Sequence, residues 1–223
     1  MSQTYQPKVY LIRTLTNLHV GGGDGNFDYV DKQVQRDSAS KYPTIYASGI
    51  KGSLRDYMKA QGFAGITTVF GSEPGDPTSV QGAYRFVSAD ILALPRPSVG
   101  LDATSPYEIV STEHLVQHFQ QKVQAMGGTA PTLSFQHTPI ETPAFRELAA
   151  TLPVLARNHL ESGVSQNLWY EEVVPRESYF GFTILVPEGH EHFDDFNALL
   201  QDKVIQLGAN ATIGYGLCHF TQL

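Results

Sequence analysis

Cysteine is almost absent from this chain of 223 residues, in which Cys218 stands alone. A single cysteine excludes a framework of disulfide bonds, and a cysteine-based structural zinc site is not expected either. The first residues, MSQTYQPK, lack the apolar core of a signal peptide, and no apolar run approaches the length of a membrane span. The sequence therefore predicts a cytoplasmic protein without membrane contact.

Basic residues are scarce after the first quarter of the chain, and the formal net charge is −7. Residues 1–60 hold eight Lys and Arg against five Asp, which gives +3, whereas the remainder holds seven basic and 17 acidic residues, which gives −10. This asymmetry is compatible with one face toward a polyanion on an otherwise acidic protein. A charge that merely varies along the chain is the alternative that counting leaves open.

Hydrophobic residues make up 41% of the chain, and its length predicts one domain, or one domain with a large insertion. The periodicity predicts strands over 8–20, 83–94 and 178–187, a strand at the C-terminal end, and helices over 48–62 and 193–207. Ser48 is the expected N-cap of the first helix, and Pro95 and Pro97 are expected to end the second strand. Strand, helix, strand, repeated once, is the β-α-β-β-α-β order of a ferredoxin-like α+β fold.

A large insertion of uncertain structure separates the two halves over 100–150. It contains helical patterns within 106–126 and 141–153. The sequence here predicts local helices without a defined place in the fold.

Three glycines follow the first strand in the run HVGGGDG, which begins at His19, and Asp28 and Asp31 come soon after. Such glycines let a backbone approach a ligand closely or form an anion-binding nest. No G-K-[ST] follows, and the spacing matches neither a dinucleotide fingerprint nor a calcium loop. From the residues alone, Asp31 is more often a solvated turn residue than a catalytic one, and His19 more often a hydrogen-bonded strand end than a base.

Lys51, Arg55 and Lys59 recur every four residues and form a basic stripe on the first predicted helix. Lys51 lies between Gly49 and Gly52 near the helix N-terminus, where free N–H groups favour an anion. A phosphate contact is the functional interpretation of the stripe, and a solvated helix face is the ordinary one.

Aromatic and acidic residues occur together in the run LWYEE, which follows a polar stretch. Two strands around a polar tip predict a protruding hairpin over 155–177. Trp169 and Tyr170 could stack on bases, although aromatics more commonly belong to a core or an interface. Glu171 and Glu172 could complete an acid/base or metal site with Asp31, although the sequence alone does not place them together.

A glycine-rich loop, GANATIGYG, begins at Gly208 and leads into the final strand. Polar loops of this kind can contact a sugar-phosphate backbone. A plain connection between a helix and a strand is the alternative, although nine residues is long for one.

Taken together, the runs HVGGG, VDKQVQRD, YPTIYASGIKGSLRDYM and LGANATIGYG resemble the signature segments of the RAMP superfamily, the repeat-associated proteins of CRISPR systems. The runs RFVSADILALPRPS and NLWYEEVVP are similar to strand and hairpin segments of the backbone subunits of type III-B (Cmr) effector complexes. The resemblance covers most of the chain and is weakest over 100–150.

The resemblance implies a single domain over 1–223, with an RRM-like palm and an inserted thumb hairpin at 155–177. It implies a subunit that stacks in several copies along a guide RNA and cleaves the target RNA beside each thumb. Asp31 and His19 correspond to the catalytic residues, and candidates for catalytic support are Tyr170, Glu171 and Glu172. The expected RNA-binding residues are Lys51, Arg55, Arg36, Ser48, Gly49, Gly208, Asn210, Thr212, Gly214 and Tyr215.

The same resemblance implies a divalent cation, Mg²⁺ or Mn²⁺, with Asp31 as a candidate ligand, and no organic cofactor. The expected partners are the guide CRISPR RNA, a complementary target RNA, further copies of the chain, and other Cmr-type subunits including the large subunit. Three alternatives stay open: a RAMP subunit that only coats the guide, a type III-A-like counterpart, and a stand-alone endoribonuclease that processes the CRISPR transcript.

Overall fold

The computed structural model describes residues 4–22, 30–73, 75–98, 104–162 and 164–223. The strands are β1 (Tyr5–Thr14), β2 (Thr44–Ile45), β3 (Arg85–Phe86), β4 (Ala89–Pro97), β5 (Tyr107–Ser111), β6 (Thr138–Pro139), β7 (Val154–Glu161), β8 (Val164–Glu172), β9 (Tyr179–Pro187), β10 (Lys203–Gln206) and β11 (Leu217–Gln222). The helices are α1 (Ala47–Ala60), α2 (Ile66–Phe70), α3 (Glu113–Ala125), α4 (Thr142–Ala150) and α5 (Phe193–Leu200), and a 3-10 turn covers Ala211–Ile213. None of the described helices is long and apolar enough to cross a bilayer.

Nine of these strands form one sheet with the order β10-β11-β1-β9-β4-β5-β6, while β2 pairs with β4 and β3 with β9. Neighbours along the main path are antiparallel except β5 and β6, which are parallel. β9 lies at the centre because it pairs with β1, β3 and β4. The result is a mixed α+β fold with a large sheet.

The sheet carries a core on each face, because successive side chains of a strand point in opposite directions. In β1, Tyr10 and Ile12 belong to the larger core, whereas Val9 and Leu11 belong to a smaller core with Phe119. The larger core also takes side chains from α1, α2, α4 and α5, and the smaller one from α3. Helices therefore cover both faces, and the central strand β9 is buried along most of its length.

The helix predicted over 48–62 is confirmed as α1, whose fully buried positions are Ile50, Leu54 and Met58. Ser48 was predicted to be its N-cap, and this prediction is wrong. The helix begins at Ala47, with Tyr46 in the cap position. The Ala47 N–H donates to Ser88 Oγ at 3.1 Å. A hydroxyl from a distant segment thus replaces the local cap.

The strand predicted over 83–94 is divided into β3 and β4. Of the two prolines predicted to end it, Pro95 lies inside β4 and Pro97 is its last residue. β4 pairs with β9 from Asp90 to Ala93, and among the described strands only β5 pairs with its last residues, Leu94 to Pro97. Proline is tolerated where a strand is open on one side, because its missing N–H leaves no pairing partner unsatisfied there.

The helix predicted over 193–207 is wrong in its second half, where α5 ends and β10 begins. Asp202 adopts a positive φ of 55°, and its N–H donates to the Phe220 carbonyl at 2.8 Å. The side chains then alternate, with Val204 exposed and Ile205 buried, which is the period of a strand.

The described part of the 100–150 segment contains β5, α3, β6 and α4. The helical pattern within 106–126 covers a strand followed by a helix, and Thr112 caps that helix by accepting a hydrogen bond from the Leu115 N–H at 3.2 Å. The helix predicted within 141–153 is confirmed as α4.

β7 and β8 form a separate antiparallel ribbon of two strands. Its register pairs Val154 with Glu172 at the base and Glu161 with Val164 at the turn. Apolar side chains near the turn are exposed, with Val164 at 61% and Leu168 at 55%. The base of the ribbon is hydrogen-bonded to the rest of the protein, close to several of the predicted site residues.

Phe196 provides a test of the larger core. It is fully buried, with ring centroids 5.4 Å from Tyr84 and 6.1 Å from both Phe63 and Phe70. Phe196→Ala should lower the free energy of unfolding by about 3–5 kcal/mol, because it opens a cavity that these rings cannot fill. Urea unfolding measures this, with the partly buried Phe193→Ala on the same helix as the matched control. Equal losses in the two variants would contradict the central position of Phe196.

Candidate functional site

The base of the ribbon is joined to two segments that are distant in sequence. Leu18 and Val174 exchange backbone hydrogen bonds of 2.8 Å in both directions. The Lys32 N–H donates to the Tyr170 carbonyl at 3.1 Å, and the Glu172 N–H donates to the Lys32 carbonyl at 2.8 Å. The end of β8 is therefore fixed between the segment after β1 and residues 31–36.

Asp31 is an exposed carboxylate at this junction. Its Oδ2 accepts a hydrogen bond of 2.7 Å from the Tyr170 N–H. The next residue, Lys32, places its Nζ 4.9 Å from the centroid of the Trp169 ring. The ribbon thus holds a solvent-facing acid through its main chain, although 139 residues separate the two partners.

Glu171 points inward from the same strand and is only 2% exposed. Asn210 Nδ2 donates to its two oxygens at 3.0 and 2.9 Å, and Arg157 Nε donates to Oε2 at 3.2 Å. A buried carboxylate is stable only with such partners. Glu171 therefore joins the ribbon to the loop after β10.

Glu172 forms a second buried contact, at 7% exposure. Its Oε1 accepts from the Arg36 guanidinium, and its Oε2 accepts from the Val34 N–H at 3.0 Å. Arg36 also donates to the Ala149 carbonyl at 2.8 Å and to the Lys41 carbonyl at 3.0 Å. Arg36 therefore has an internal role through three of its N–H donors, and its RNA contact stays a prediction.

His19 lies behind the two glutamates and is 4% exposed. Its Nδ1 is 2.7 Å from the Glu172 carbonyl oxygen, and its Nε2 is 3.7 Å from Glu171 Oε1. The ring is thus buried behind the two glutamates, and the catalytic role of His19 stays a prediction. Burial equally places the predicted catalytic support from Glu171 and Glu172 within the protein interior.

The glycine-rich loop over residues 208–216 passes directly over His19. The Ala209 N–H donates to the His19 carbonyl at 2.9 Å, and Gly208 has a positive φ of 73°. A Cβ on Gly208 would lie 2.3 Å from that carbonyl oxygen, so only glycine fits. Asn210 also has a positive φ, of 64°, and its side chain is held by Glu171. Farther along, the exposed residues are Ala211, Thr212, Ile213 and Gly214.

Tyr215 closes this loop against the ribbon. The Arg157 guanidinium lies 4.6 Å from the centroid of the Tyr215 ring, at cation–π distance. Arg157 therefore contacts both the buried glutamate and the loop. No sequence pattern indicated this residue, because the burial of Glu171 is visible only in the structure.

The N-terminus of α1 opens on a polar cavity of about 240 Å³. Ser48, Lys51 and Arg85 line it together with Tyr84. Ser48 is exposed, as is Gly49 in the same turn. The structure thus brings Lys51 and Ser48 to one cavity with Arg85, which no sequence pattern indicated, and their contact with RNA stays a prediction.

Of the three residues in the predicted basic stripe on α1, both Arg55 and Lys59 have an acidic partner. Arg55 is 17% exposed and donates to the Gly71 carbonyl at 2.6 Å, while Glu73 lies 3.7 Å from its Nε. Lys59 pairs with the same Glu73 at 3.0 Å. The Arg55 guanidinium thus contacts the end of α2, and its predicted contact with RNA stays a prediction.

The described carboxylates do not fit the predicted divalent cation. In the part of the chain that the structure describes, no group of three or more His, Cys, Asp or Glu could hold a metal ion. Glu171 and Glu172 are committed to Arg157, Asn210 and Arg36. Asp24 and Asp28 lie outside the described residues, so Mg²⁺ or Mn²⁺ stays a prediction and no step is assigned to it.

A family model for the RAMP superfamily matches residues 11–219. The chain belongs to the RAMP superfamily. It is 25% identical to the "CRISPR system Cmr endoribonuclease Cmr4" of Pyrococcus furiosus, over 96% of this chain and 95% of that protein. It is 30% identical over 131 residues to the "CRISPR system CMR subunit Cmr4" of Saccharolobus solfataricus, a match that spans 56% of this chain and 41% of the relative.

A solved RAMP assembly shows the same fold. A chain of the cryo-EM structure of "Type III-B Cmr-beta bound to cognate target RNA" superimposes with a TM-score of 0.81. The superposition covers 97% of this chain and 96% of that one, at 20% sequence identity. The match to the family model confirms the RAMP resemblance predicted from the sequence.

Gly208 tests how tightly the RAMP glycine loop is fitted to the site. Gly208→Ala should destabilise the protein by at least about 2 kcal/mol, because a Cβ adds a clash with the His19 carbonyl to the strain of a positive φ. Gly214→Ala is the matched control, since its φ is 81° but a Cβ there would meet no atom of the described residues within 4 Å. Thermal unfolding compares the two. Equal losses would show that the contact with His19 does not matter.

Proposed function

We propose that this chain is a cytoplasmic backbone subunit of a type III-B CRISPR RNA-guided complex. The subunit stacks along the guide RNA and cleaves complementary target RNA, with Asp31 as its catalytic residue. One observation carries the proposal: an exposed carboxylate is fixed on the base of the ribbon in a RAMP chain. The similarity to a protein named as a Cmr endoribonuclease supports the activity. The similarity to a chain solved with target RNA supports the partner.

The strand order supports a ferredoxin-like palm. Strands β11-β1-β9-β4 run in that order along the sheet with antiparallel neighbours. With α1 between β1 and β4, and α5 between β9 and β11, this is a β-α-β-β-α-β arrangement interrupted by the 100–150 insertion. The ribbon of β7 and β8 then acts as the thumb, whose base carries Asp31.

RNA supplies its own nucleophile for the cleavage. A nucleotide displaced from the duplex by the thumb can bring its 2′-oxygen in line with the adjacent phosphate. The 2′-oxygen forms a bond to phosphorus, the bond from phosphorus to the 5′-oxygen breaks, and a 2′,3′-cyclic phosphate remains. Asp31 orients the hydroxyl and takes its proton, and the leaving 5′-oxygen is protonated from water.

The guide strand lies along two surfaces of the palm. The α1 cavity presents Lys51, Ser48 and Arg85 to a phosphate at a helix N-terminus. The exposed part of the glycine loop offers a second backbone contact. Such contacts position a nucleic acid without reading its sequence, so the target is selected by base pairing with the guide.

Lys51→Ala should weaken guide binding equally for unrelated guide sequences, because a phosphate contact carries no sequence information. The dependence of log K on log salt should become shallower by about 0.7, the value for one phosphate on a single strand. Fluorescence anisotropy over a salt series measures both. Lys59→Ala is the matched control, since its ammonium is already paired with Glu73. An unchanged salt slope for Lys51→Ala would remove Lys51 from the interface.

Asp31→Ala should abolish target cleavage while it leaves assembly and target affinity nearly unchanged. The side chain is exposed, so its removal should cost less than about 1 kcal/mol of stability. Its main effect falls on the transition state, and the cleavage rate should drop by about 100-fold or more. Single-turnover cleavage by the complex assembled with guide RNA and its other subunits measures this.

Asp31→Asn separates two roles of the same residue. The amide keeps the shape of the side chain and can still accept a hydrogen bond from the Tyr170 N–H, but it cannot take a proton. Loss of cleavage in both variants supports a role as base. Normal cleavage by Asp31→Ala in a fully assembled complex would instead make the chain a subunit that only coats the guide.

A further inference from the structure

Glu171 occupies a position that the proposed chemistry does not explain. It is the residue between Tyr170, whose N–H holds Asp31, and Glu172, whose N–H holds Lys32. Its carboxylate contacts the opposite strand of the ribbon through Arg157 and the glycine loop through Asn210. One buried side chain thus lies between the proposed cleavage residue and the proposed guide-binding loop.

A role for Glu171 in direct contact with RNA conflicts with its surroundings. It is 2% exposed, and both its oxygens accept hydrogen bonds from Asn210. To reach a substrate it would have to leave Asn210 and Arg157 without their partner, which is costly inside a protein. Its effect on the reaction must therefore pass through the residues that it touches.

Asn210 shows what the contact achieves at the other end. This residue has a left-handed φ of 64°, which asparagine adopts more readily than most residues other than glycine. The two hydrogen bonds from its Nδ2 to Glu171 fix the start of the exposed loop. Arg157 reinforces the link, because it contacts Glu171 and also lies over Tyr215 at the end of the loop.

From this geometry we infer that Glu171 is a positioning residue that sets the distance between Asp31 and the glycine-rich loop. The inference rests on the proposed function and deepens it. A guide strand held by the loop and a target phosphate attacked beside Asp31 must keep a fixed separation. The pair Glu171–Asn210 supplies that separation, since one partner is continuous with the backbone that holds Asp31 and the other begins the loop.

The test exchanges the two partners. Asn210→Asp places two carboxylates in contact, and single-turnover cleavage should fall by about 10- to 100-fold, as expected for a shift of about 1 Å in a reacting group. Glu171→Gln combined with Asn210→Asp restores one carboxylate and one carboxamide in reversed positions, and cleavage should return to within about threefold of the original rate. Recovery in the double variant is the decisive result, because a catalytic glutamate could not be replaced by glutamine.

Controls keep stability, assembly and chemistry apart. Melting temperature and guide occupancy are measured for each variant, and Glu188→Gln, an exposed glutamate beyond the end of β9, is the matched control. If Asn210→Asp fails to fold, Asn210→Ala removes the contact without adding charge and should reduce the rate in the same direction. An unchanged rate in whichever Asn210 variant folds overturns the inference, and so does a double variant that folds and assembles but does not recover.

Asp31→Ala, measured in parallel, distinguishes the inference from the proposed function. If Asp31→Ala still cleaves, the cleavage site is wrong and the proposed function fails first. If Asp31→Ala is inactive while Asn210→Asp cleaves normally, only the positioning role of Glu171 fails.

Discussion

Two carboxylates are buried side by side at the base of the ribbon, and the arrangement around them follows from that constraint. A desolvated carboxylate is tolerated only when cations or N–H groups surround it. The partners of Glu171 and Glu172 come from β7, the loop after β10 and the segment 31–36. These segments therefore meet around Glu171 and Glu172. The exposed surface next to the two carboxylates is formed by residues that are distant in the sequence.

The same pairing explains why the distribution of charge along the sequence overstates the basic surface. Arg36 and Arg55, both in the +3 segment of residues 1–60, donate their hydrogen bonds to protein groups, and Arg13 forms an ion pair with Glu177 at 2.7 Å. Surface pairs such as that of Lys59 contribute little stability but reduce the local field. The proposed attraction for RNA therefore depends on few positions, of which the α1 N-terminus with Lys51 and Arg85 is the clearest.

Local patterns predicted the elements whose period is long and regular, such as α1 and β9, because burial of one stripe or of a continuous apolar run is encoded nearby. They failed where tertiary partners decide. The C-terminal half of the helix predicted over 193–207 became β10 because Asp202 turns the chain back onto β11. Likewise, the internal role of Arg55 depends on the end of α2, and that of Glu171 on Arg157 and Asn210, none of which spacing could place together.

The three carboxylates at the junction illustrate a division that sequence could not reveal. Asp31, Glu171 and Glu172 are the same kind of group, yet only Asp31 is exposed, while the other two are nearly sealed from water. A group that exchanges a proton with a bound RNA must be reachable, whereas a group that fixes distances must not move. Burial makes Glu171 and Glu172 rigid because leaving their partners is costly. The adjoining Tyr170 N–H holds Asp31, so the proposed cleavage residue is exposed and still fixed in position.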